Sequence, residues 1–220
     1  MDVIIPLLNK SANNYAELRY AIRSMVRWYD VDDVILVGGC PSWFTGTHVA
    51  HDDVDSMYWK EKNIVDKVVA GMYHSSENFI YANDDHFIFA KYAGLHYKGT
   101  VKQTMSKKSP SGSYYKTLAN TLNRWGHSTL DFDTHCPMVM SVHQVENMLK
   151  QVDWGVKFGY GFKTCVVYAN DLADHGDWYP DMKVNVIPSV IDRPYISTED
   201  SVRNIHVLDK YFPHKSRFEA

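Results

Sequence analysis

Only three cysteines, Cys40, Cys136 and Cys165, occur in 220 residues. An odd number with no close pair excludes a disulfide framework and a paired-cysteine metal site, and it fits a reducing, cytoplasmic compartment. No apolar run approaches the roughly 18 residues that cross a bilayer, so no membrane span is expected. The first residues lack a basic region followed by a long apolar stretch, so no secretory leader is expected either. There is no G-x-x-x-x-G-K-[ST], no H-E-x-x-H and no G-x-S-x-G, and Gly159-Tyr160-Gly161 lacks the rest of a dinucleotide fingerprint. ATPase, zinc-protease and α/β-hydrolase chemistry therefore lose support. No repeat, low-complexity segment or linker divides the chain, which reads as one domain over 1–220. Acidic residues are missing altogether between Asp85 and Asp131, where Lys91, Lys98, Lys102, Lys107, Lys108, Lys116 and Arg124 fall. A stretch so one-signed either attracts phosphate or forms a solvated basic loop.

The remaining composition is that of an ordinary soluble globular chain. Hydrophobic residues make up 45%, charged residues 22%, and the net charge is −3. A chain this long buries about 70% of its unfolded surface without staples. Aromatics are rich, with 15 Tyr and 6 Trp. They suit sugar or base pockets as well as plain core filling.

Strand and helix signals alternate through the first half. Val3-Ile4-Ile5-Pro6-Leu7 reads as a buried strand, followed by a polar turn over Asn9 to Asn14. A helix follows with Leu18, Ile22, Met25 and Val26 on one face. Val34-Ile35-Leu36-Val37 is a second strand, ending in Gly38-Gly39. The segment from Cys40 to Met57 reads as a loop, and a second helix is expected from Trp59 to about His74. A third strand, Phe79-Ile80-Tyr81, runs into Asn83-Asp84-Asp85. This rhythm implies an α/β fold of Rossmann-like type with a mainly parallel sheet, whose ligands bind beyond the carboxyl ends of the strands. The second half is less regular. It shows helices near Tyr114–Arg124, Gln144–Val152 and Phe162–Tyr168, a strand through Met140, and many turns after Trp178.

The sharpest chemical feature is Phe79-Ile80-Tyr81-Ala82-Asn83-Asp84-Asp85-His86-Phe87-Ile88-Phe89. Two adjacent carboxylates between apolar, aromatic strands are costly to bury without compensation. A divalent cation is the simplest compensation, and oxygen ligands suit Mg²⁺ or Mn²⁺. Asp84 and Asp85 are therefore a candidate metal pair, with Asn83 beside them. Asp131, Asp133 and His135 alternate and share one face of an extended segment. Asp133 and His135 are candidate bases there, and His135 is a possible third metal ligand. Arg19 and Arg23, four apart on a helix, have the spacing to clamp a diphosphate or to stay solvated. Donor-binding candidates at the strand exits and the second helix are Pro6, Asn9, Gly38 and Lys62, next to Lys60 and Glu61 in a charged first turn. Lys107, Lys108, Lys116 and Lys163 are candidates for acceptor or phosphate binding, and Asp171 is a weaker one. His48, His51, Asp52, Asp53 and Asp55 are also ligand types, but with few apolar anchors they read as a solvated acidic loop.

Three ordered blocks carry a resemblance. Glu17-Leu18-Arg19-Tyr20-Ala21-Ile22-Arg23-Ser24 resembles the E-L-R-Y-S-L-R-S block of Stealth-type sugar-phosphate transferases. Phe79 to Asp85 resembles their F-I-Y-x-N-D-D block, and His135-Cys136-Pro137 their later H-x-P block. The same features resemble compact, phage-type glycosyltransferases of GT-A-like fold. The resemblance implies a nucleotide-binding half over 1–90 and an acceptor half over 91–220. It also implies that an acidic strand-end motif holds Mn²⁺ or Mg²⁺ and the diphosphate of a nucleotide-sugar. Where Stealth proteins have an aspartate in a T-W-V-D-G block, Ile4 to Asn9 has no acid. Glycosyl transfer to an acceptor hydroxyl, in a saccharide or in a hydroxymethylated base of phage DNA, is therefore the first expectation. Such an enzyme would work in the (host) cytoplasm. Sugar-1-phosphate transfer to a polysaccharide, and a non-catalytic sugar- or nucleic-acid-binding module, are the alternatives.

Overall fold

The computed structural model describes residues 1–9, 15–54, 59–91, 95–199 and 204–220. Most of the expected polar turn, 10–14, lies outside the described residues, as does Asp55. The core is a five-stranded sheet. Its strands are β1 (Asp2–Leu7), β2 (Val34–Gly38), β3 (Thr47–Val49), β4 (Asn78–Tyr81) and β7 (Met138–Ser141). Their order is β3-β2-β1-β4-β7. The first four run parallel, and β7 pairs antiparallel with β4.

Successive residues of a strand face opposite sides, and here both sides are apolar because helices cover both. Val3, Ile5, Leu7, Val34 and Leu36 pack with Leu18, Ile22 and Met25 of α1 (Ala16–Trp28). Ile4, Ile35 and Val37 pack on the other side with Val65, Val68 and Met72 of α2 (Lys60–Met72). Burying each such side chain stabilises the fold by about 2 kcal/mol. This two-sided burial explains why β1 and β2 show no polar alternation. In the second half, α4 (Ser113–Trp125), α5 (Val142–Gln151) and α6 (Phe162–Ala169) match the expected helices. Ser141 and Gln144 form a reciprocal capping box that starts α5 directly at the end of β7.

Several elements differ from expectation. The segment read as a loop from Cys40 to Met57 contains the edge strand β3, three residues with no buried member. After the sheet come β5 (His86–Ile88), β6 (Leu95–Tyr97) and the short helix α3 (Val101–Met105). The turn-rich end holds β8 (Gly176–Trp178), β9 (Lys183–Val184), β10 (Tyr195–Thr198) and a 3₁₀ turn at Ile205–Lys210. β5, β10 and β9 form a second small sheet, and β6 pairs with β8. Among the described residues no helix is long and apolar enough to cross a membrane.

The topology decides where chemistry can occur. β1 and β2 end together, with Leu7 opposite Gly38, and β4 stops short of them at the same edge, with Tyr81 opposite Ile4. Because β7 is antiparallel, Met138 lies opposite Tyr81, so the segment before it, 131–137, arrives at the same sheet edge. α2 begins at that edge as well, since it connects the exit of β3 to the start of β4.

Candidate active site at the carboxyl edge of the sheet

The exits of β1 and β2 are locked to each other. Gly38 has φ of +104°, and a Cβ there would lie 2.3 Å from the Leu7 carbonyl oxygen and 2.6 Å from Lys67 Nζ. Only glycine fits this approach. Lys67, buried on α2, donates to the Leu7 carbonyl at 2.6 Å and to Asp53 Oδ1 at 2.5 Å. Asp53 Oδ2 accepts the Asn9 amide at 2.8 Å, and Asn9 Nδ2 donates to the His51 carbonyl at 3.1 Å. Burial opposes ionisation of Asp53, but the Lys67 ammonium and the Asn9 amide hold its carboxyl below the usual range. His48 Nε2 donates to the Gly38 carbonyl at 2.7 Å. The expectation of a merely solvated acidic loop is thus corrected at Asp53 and His48, which a buried lysine and a strand end pull into the site. Lys67 carried no sequence signal beyond being a charge on the inward side of a helix. Pro6 sits inside β1, one residue before its end.

The Asn83-Asp84-Asp85 exit of β4 continues this edge. Asp84 lies close enough to Tyr15 that, after burial, Asp53 and Cys40, its charge helps push the Tyr15 phenol up. Asp85 is held elsewhere. Its Oδ2 accepts Ser197 Oγ of β10 at 2.7 Å. Its Oδ1 is buried and has no hydrogen-bond partner among the described residues, with His86 Nε2 3.8 Å away. Burial pushes the Asp85 carboxyl up, against Ser197, Lys183 and His135. His86 accepts the Asn83 amide on Nδ1 at 3.2 Å, and burial together with Lys163, His135 and Lys183 keeps its ring neutral. The neutral imidazole is therefore no counter-ion for Asp85.

A divalent cation fits this exit, because an orphaned buried carboxylate oxygen is what such an ion would satisfy. Among the described residues no group of three histidine, cysteine or acidic side chains is arranged to hold a metal. The protein would thus supply one or two carboxylates, and other ligands would come from water or substrate. That is the usual share for Mg²⁺.

The segment 131–137 forms the facing wall. His135 Nδ1 lies 2.8 Å from both oxygens of Asp181, which fixes the ring and leaves Nε2 as its second nitrogen. Burial acts against ionisation of Asp181, but the His135 hydrogen bond and Lys98 hold its carboxyl well below the usual range. Lys98 Nζ lies 3.6 Å from Asp181 and 3.7 Å from Asp131, and it donates to the Asp133 carbonyl at 2.7 Å. Asp133 accepts the Lys163 amide at 3.0 Å and Thr164 Oγ1 at 2.6 Å. Its carboxylate thereby caps the start of α6. Burial and the Asp131 charge push that carboxyl up. Lys163, itself buried, directs its ammonium at the Thr134 carbonyl at 2.6 Å and at the Cys136 carbonyl.

Other sequence candidates are engaged by the chain itself or stay exposed. Arg23 binds Glu219 through its fork, Nε to Oε1 and Nη2 to Oε2, both at 2.8 Å. Arg19 Nη1 reaches Oε2 at 3.0 Å and stacks over Trp43 at 4.1 Å. The spacing that suits a diphosphate clamp here grips the chain's own carboxylate. Lys62 pairs with Asp66 at 2.5 Å along α2. Lys107 and Lys108 are exposed in a turn, and Lys116 lies 4.6 Å over the Phe158 ring. Sequence reasoning missed Asp181, Lys67, Ser197 and Glu219, since each becomes relevant only through a partner more than ten residues away.

No protein-family profile matches this sequence, and no curated protein matches it. Among solved structures the chain is similar to the bifunctional glycosyltransferase WbbM in its apo form, with a TM-score of 0.53 and 11% identity. That likeness covers 98% of this chain and 50% of WbbM, so the chain spans about half the length of that relative. Mouse xyloside xylosyltransferase 1 in its apo form gives a TM-score of 0.38 at 10% identity, over 100% and 96% of the two chains. The galactosyltransferase LgtC, in complex with donor and acceptor sugar analogues, gives 0.36 at 6%, over 90% and 87%. The fold is mixed α/β with a mainly parallel central sheet, of the GT-A glycosyltransferase type.

Proposed function

We propose that this protein is a metal-dependent glycosyltransferase that moves a sugar from a nucleotide-sugar to an acceptor hydroxyl. The observation that carries this reading is Asp85 at the exit of β4, beside Asp84, a half-buried carboxylate whose buried Oδ1 is unsatisfied among the described residues. The GT-A-type fold supports it, because in open α/β sheets ligands bind beyond the carboxyl strand ends.

In this reading the nucleotide lies over the β1 and β2 exits, among Asn9, Gly38, Asn83 and Asp84. Asp84 and Asp85 would hold Mn²⁺ or Mg²⁺, which would supply positive charge to the leaving diphosphate. Asp181 orients His135, whose Nε2 is placed to hold a proton or a phosphate oxygen on the same side. Asp133 orders the segment by capping α6. The residues past 90 form the acceptor side.

Thermal-shift screening of nucleotide-sugars with and without Mn²⁺ tests the reading. A donor that binds the folded state raises the midpoint by mass action. Asp85→Asn should abolish the metal-dependent part of that rise and the turnover, yet melt no lower than the parent without metal, because it removes a buried charge. An unchanged metal response in this variant would refute the assignment. The nucleotide released separates the chemistries: a diphosphate marks glycosyl transfer, and a monophosphate marks Stealth-type sugar-phosphate transfer. Donor binding without either product would mark a non-catalytic sugar-binding module.

A further inference from the structure

The small second sheet stands directly beside Asp85. β5 leaves the turn that carries Asp84 and Asp85, and the His86 amide closes that turn on the Asn83 carbonyl at 3.3 Å. β10 pairs antiparallel with β5, and Ser197 lies opposite His86. Residues directly opposite in an antiparallel pair project to the same face, so the two side chains stand together. Both are buried. Each strand is also pinned to α1. The Ile88 amide donates to Ser24 Oγ at 3.1 Å, and Thr198 Oγ1 donates to Glu17 Oε1 at 2.5 Å.

One oxygen of Asp85 is already engaged, since Oδ2 accepts Ser197 Oγ at 2.7 Å. Oδ1 and His86 Nε2 are 3.8 Å apart, and both are buried without a hydrogen-bond partner among the described residues. The other ring nitrogen fixes the tautomer. Nδ1 accepts the Asn83 amide at 3.2 Å, so in the neutral ring the proton sits on Nε2. Neither nitrogen then offers a lone pair to a metal, and the ring is a donor. Burial together with Lys163, His135 and Lys183 keeps it neutral. An orphaned donor and an orphaned acceptor thus lie across a gap about 1 Å longer than a hydrogen bond. The Asn83 contact accounts for one nitrogen of His86. Packing does not account for the other, whose unmet proton costs stability.

We propose that His86 and Ser197 are positioning residues for Asp85. The Nε2–H of His86 closes on Oδ1 while the Ser197 hydroxyl stays on Oδ2, and the carboxylate is thereby fixed for a divalent cation at the β4 exit. This deepens the glycosyl-transfer reading and rests on its assignment of Asp85. An ionised carboxylate has about four acceptor sites, so two such bonds leave Oδ1 free to meet a cation as well. Carboxylates that ligate metals are themselves held by hydrogen bonds, and losing one such partner costs about 10- to 100-fold in metal affinity or activity. The second sheet would then serve to aim the acidic strand end, with α1 as its support.

The test follows the binding of Mn²⁺ alone, by the electron paramagnetic resonance of the free ion, in wild type, His86→Phe, His86→Gln, Ser197→Ala and Asp85→Asn. His86→Phe and Ser197→Ala should bind Mn²⁺ about 10- to 100-fold more weakly than wild type. His86→Gln keeps a side-chain N–H and should regain most of the loss. Nitrogen-15 NMR of labelled histidine in the wild-type protein gives a second readout. One ring, missing in His86→Gln, should carry its proton on Nε2 at neutral pH. That N–H proton should move downfield when Mg²⁺ is added, as it gains an acceptor. Equal Mn²⁺ affinity in His86→Phe and wild type overturns the proposal. So does an equal loss in His86→Phe and His86→Gln, or a ring protonated on Nδ1. These results leave glycosyl transfer standing. Failure of wild type to bind Mn²⁺, or undiminished binding in Asp85→Asn, overturns the underlying reading and this proposal with it.

Discussion

Glu219→Gln tests the account of the α1 arginines. The Glu219 side chain is fully buried, and it accepts from Arg19, Arg23, the Ser216 amide and Ser216 Oγ. Burial works against its charge, but Arg23 above all holds the carboxyl at about 2 instead of 4.5. By linkage that difference contributes about 3 kcal/mol at neutral pH. Removing one partner of a buried pair gives a similar figure, ~3 kcal/mol or more. For a chain of this size a loss of that order lowers the melting midpoint by roughly 6 to 12 °C. The sign follows from the depressed carboxyl. Its contribution is complete above about pH 4.5 and is lost as pH falls toward 2, so the gap between parent and variant should be about half as large at pH 3. Arg23→Ala combined with Glu219→Gln should cost little more than either alone, because both remove one interaction. Calorimetric melts at pH 7 and pH 3 check this. Midpoints within a degree of each other at pH 7, or a gap that stays constant down to pH 3, would refute the reasoning.

Two further outcomes follow from the site. Lys67→Met removes the ammonium shared by the Leu7 carbonyl and Asp53. It should destabilise the protein by about 3 kcal/mol, since it leaves Asp53 without its cation, and it should weaken nucleotide-sugar binding in the same thermal-shift assay. Gly161→Ala places a Cβ 2.0 Å from Asp133 Oδ2. The carboxylate must leave the start of α6, for a loss of about 1 to 3 kcal/mol in urea titration.

The first half of the chain was legible because its strands and helices are long, apolar and regularly spaced. Leu18, Ile22 and Met25 sit on the inner face of α1 as their spacing implied, and Phe79 to Tyr81 form the strand that ends in Asp84 and Asp85. β3 and β8 to β10 were not legible. They have two to four residues each, too few to show a period, and β10 buries Ser197 and Thr198 because Asp85 and Glu17 give their hydroxyls partners. The candidate site was legible at its acidic strand end and obscure elsewhere. Asp181 and Lys98 acquire meaning only when the pairing of β6 with β8 places the segments around them beside His135.

Charge patterning along the chain needs the same correction. Seven cations without an acid between Asp85 and Asp131 look like a surface for a polyanion. The fold divides them. Lys98 turns inward and lies between Asp131 and Asp181, acids from outside the stretch. Arg124 bonds the Gln151 carbonyl and stacks on Trp125 at 4.4 Å. Lys91, Lys102, Lys107, Lys108 and Arg124 all stay exposed. Their field in solution is screened by salt. The sequence-level count of charges was made before their partners were known, and Lys98 leaves that count because acids from outside the stretch hold it.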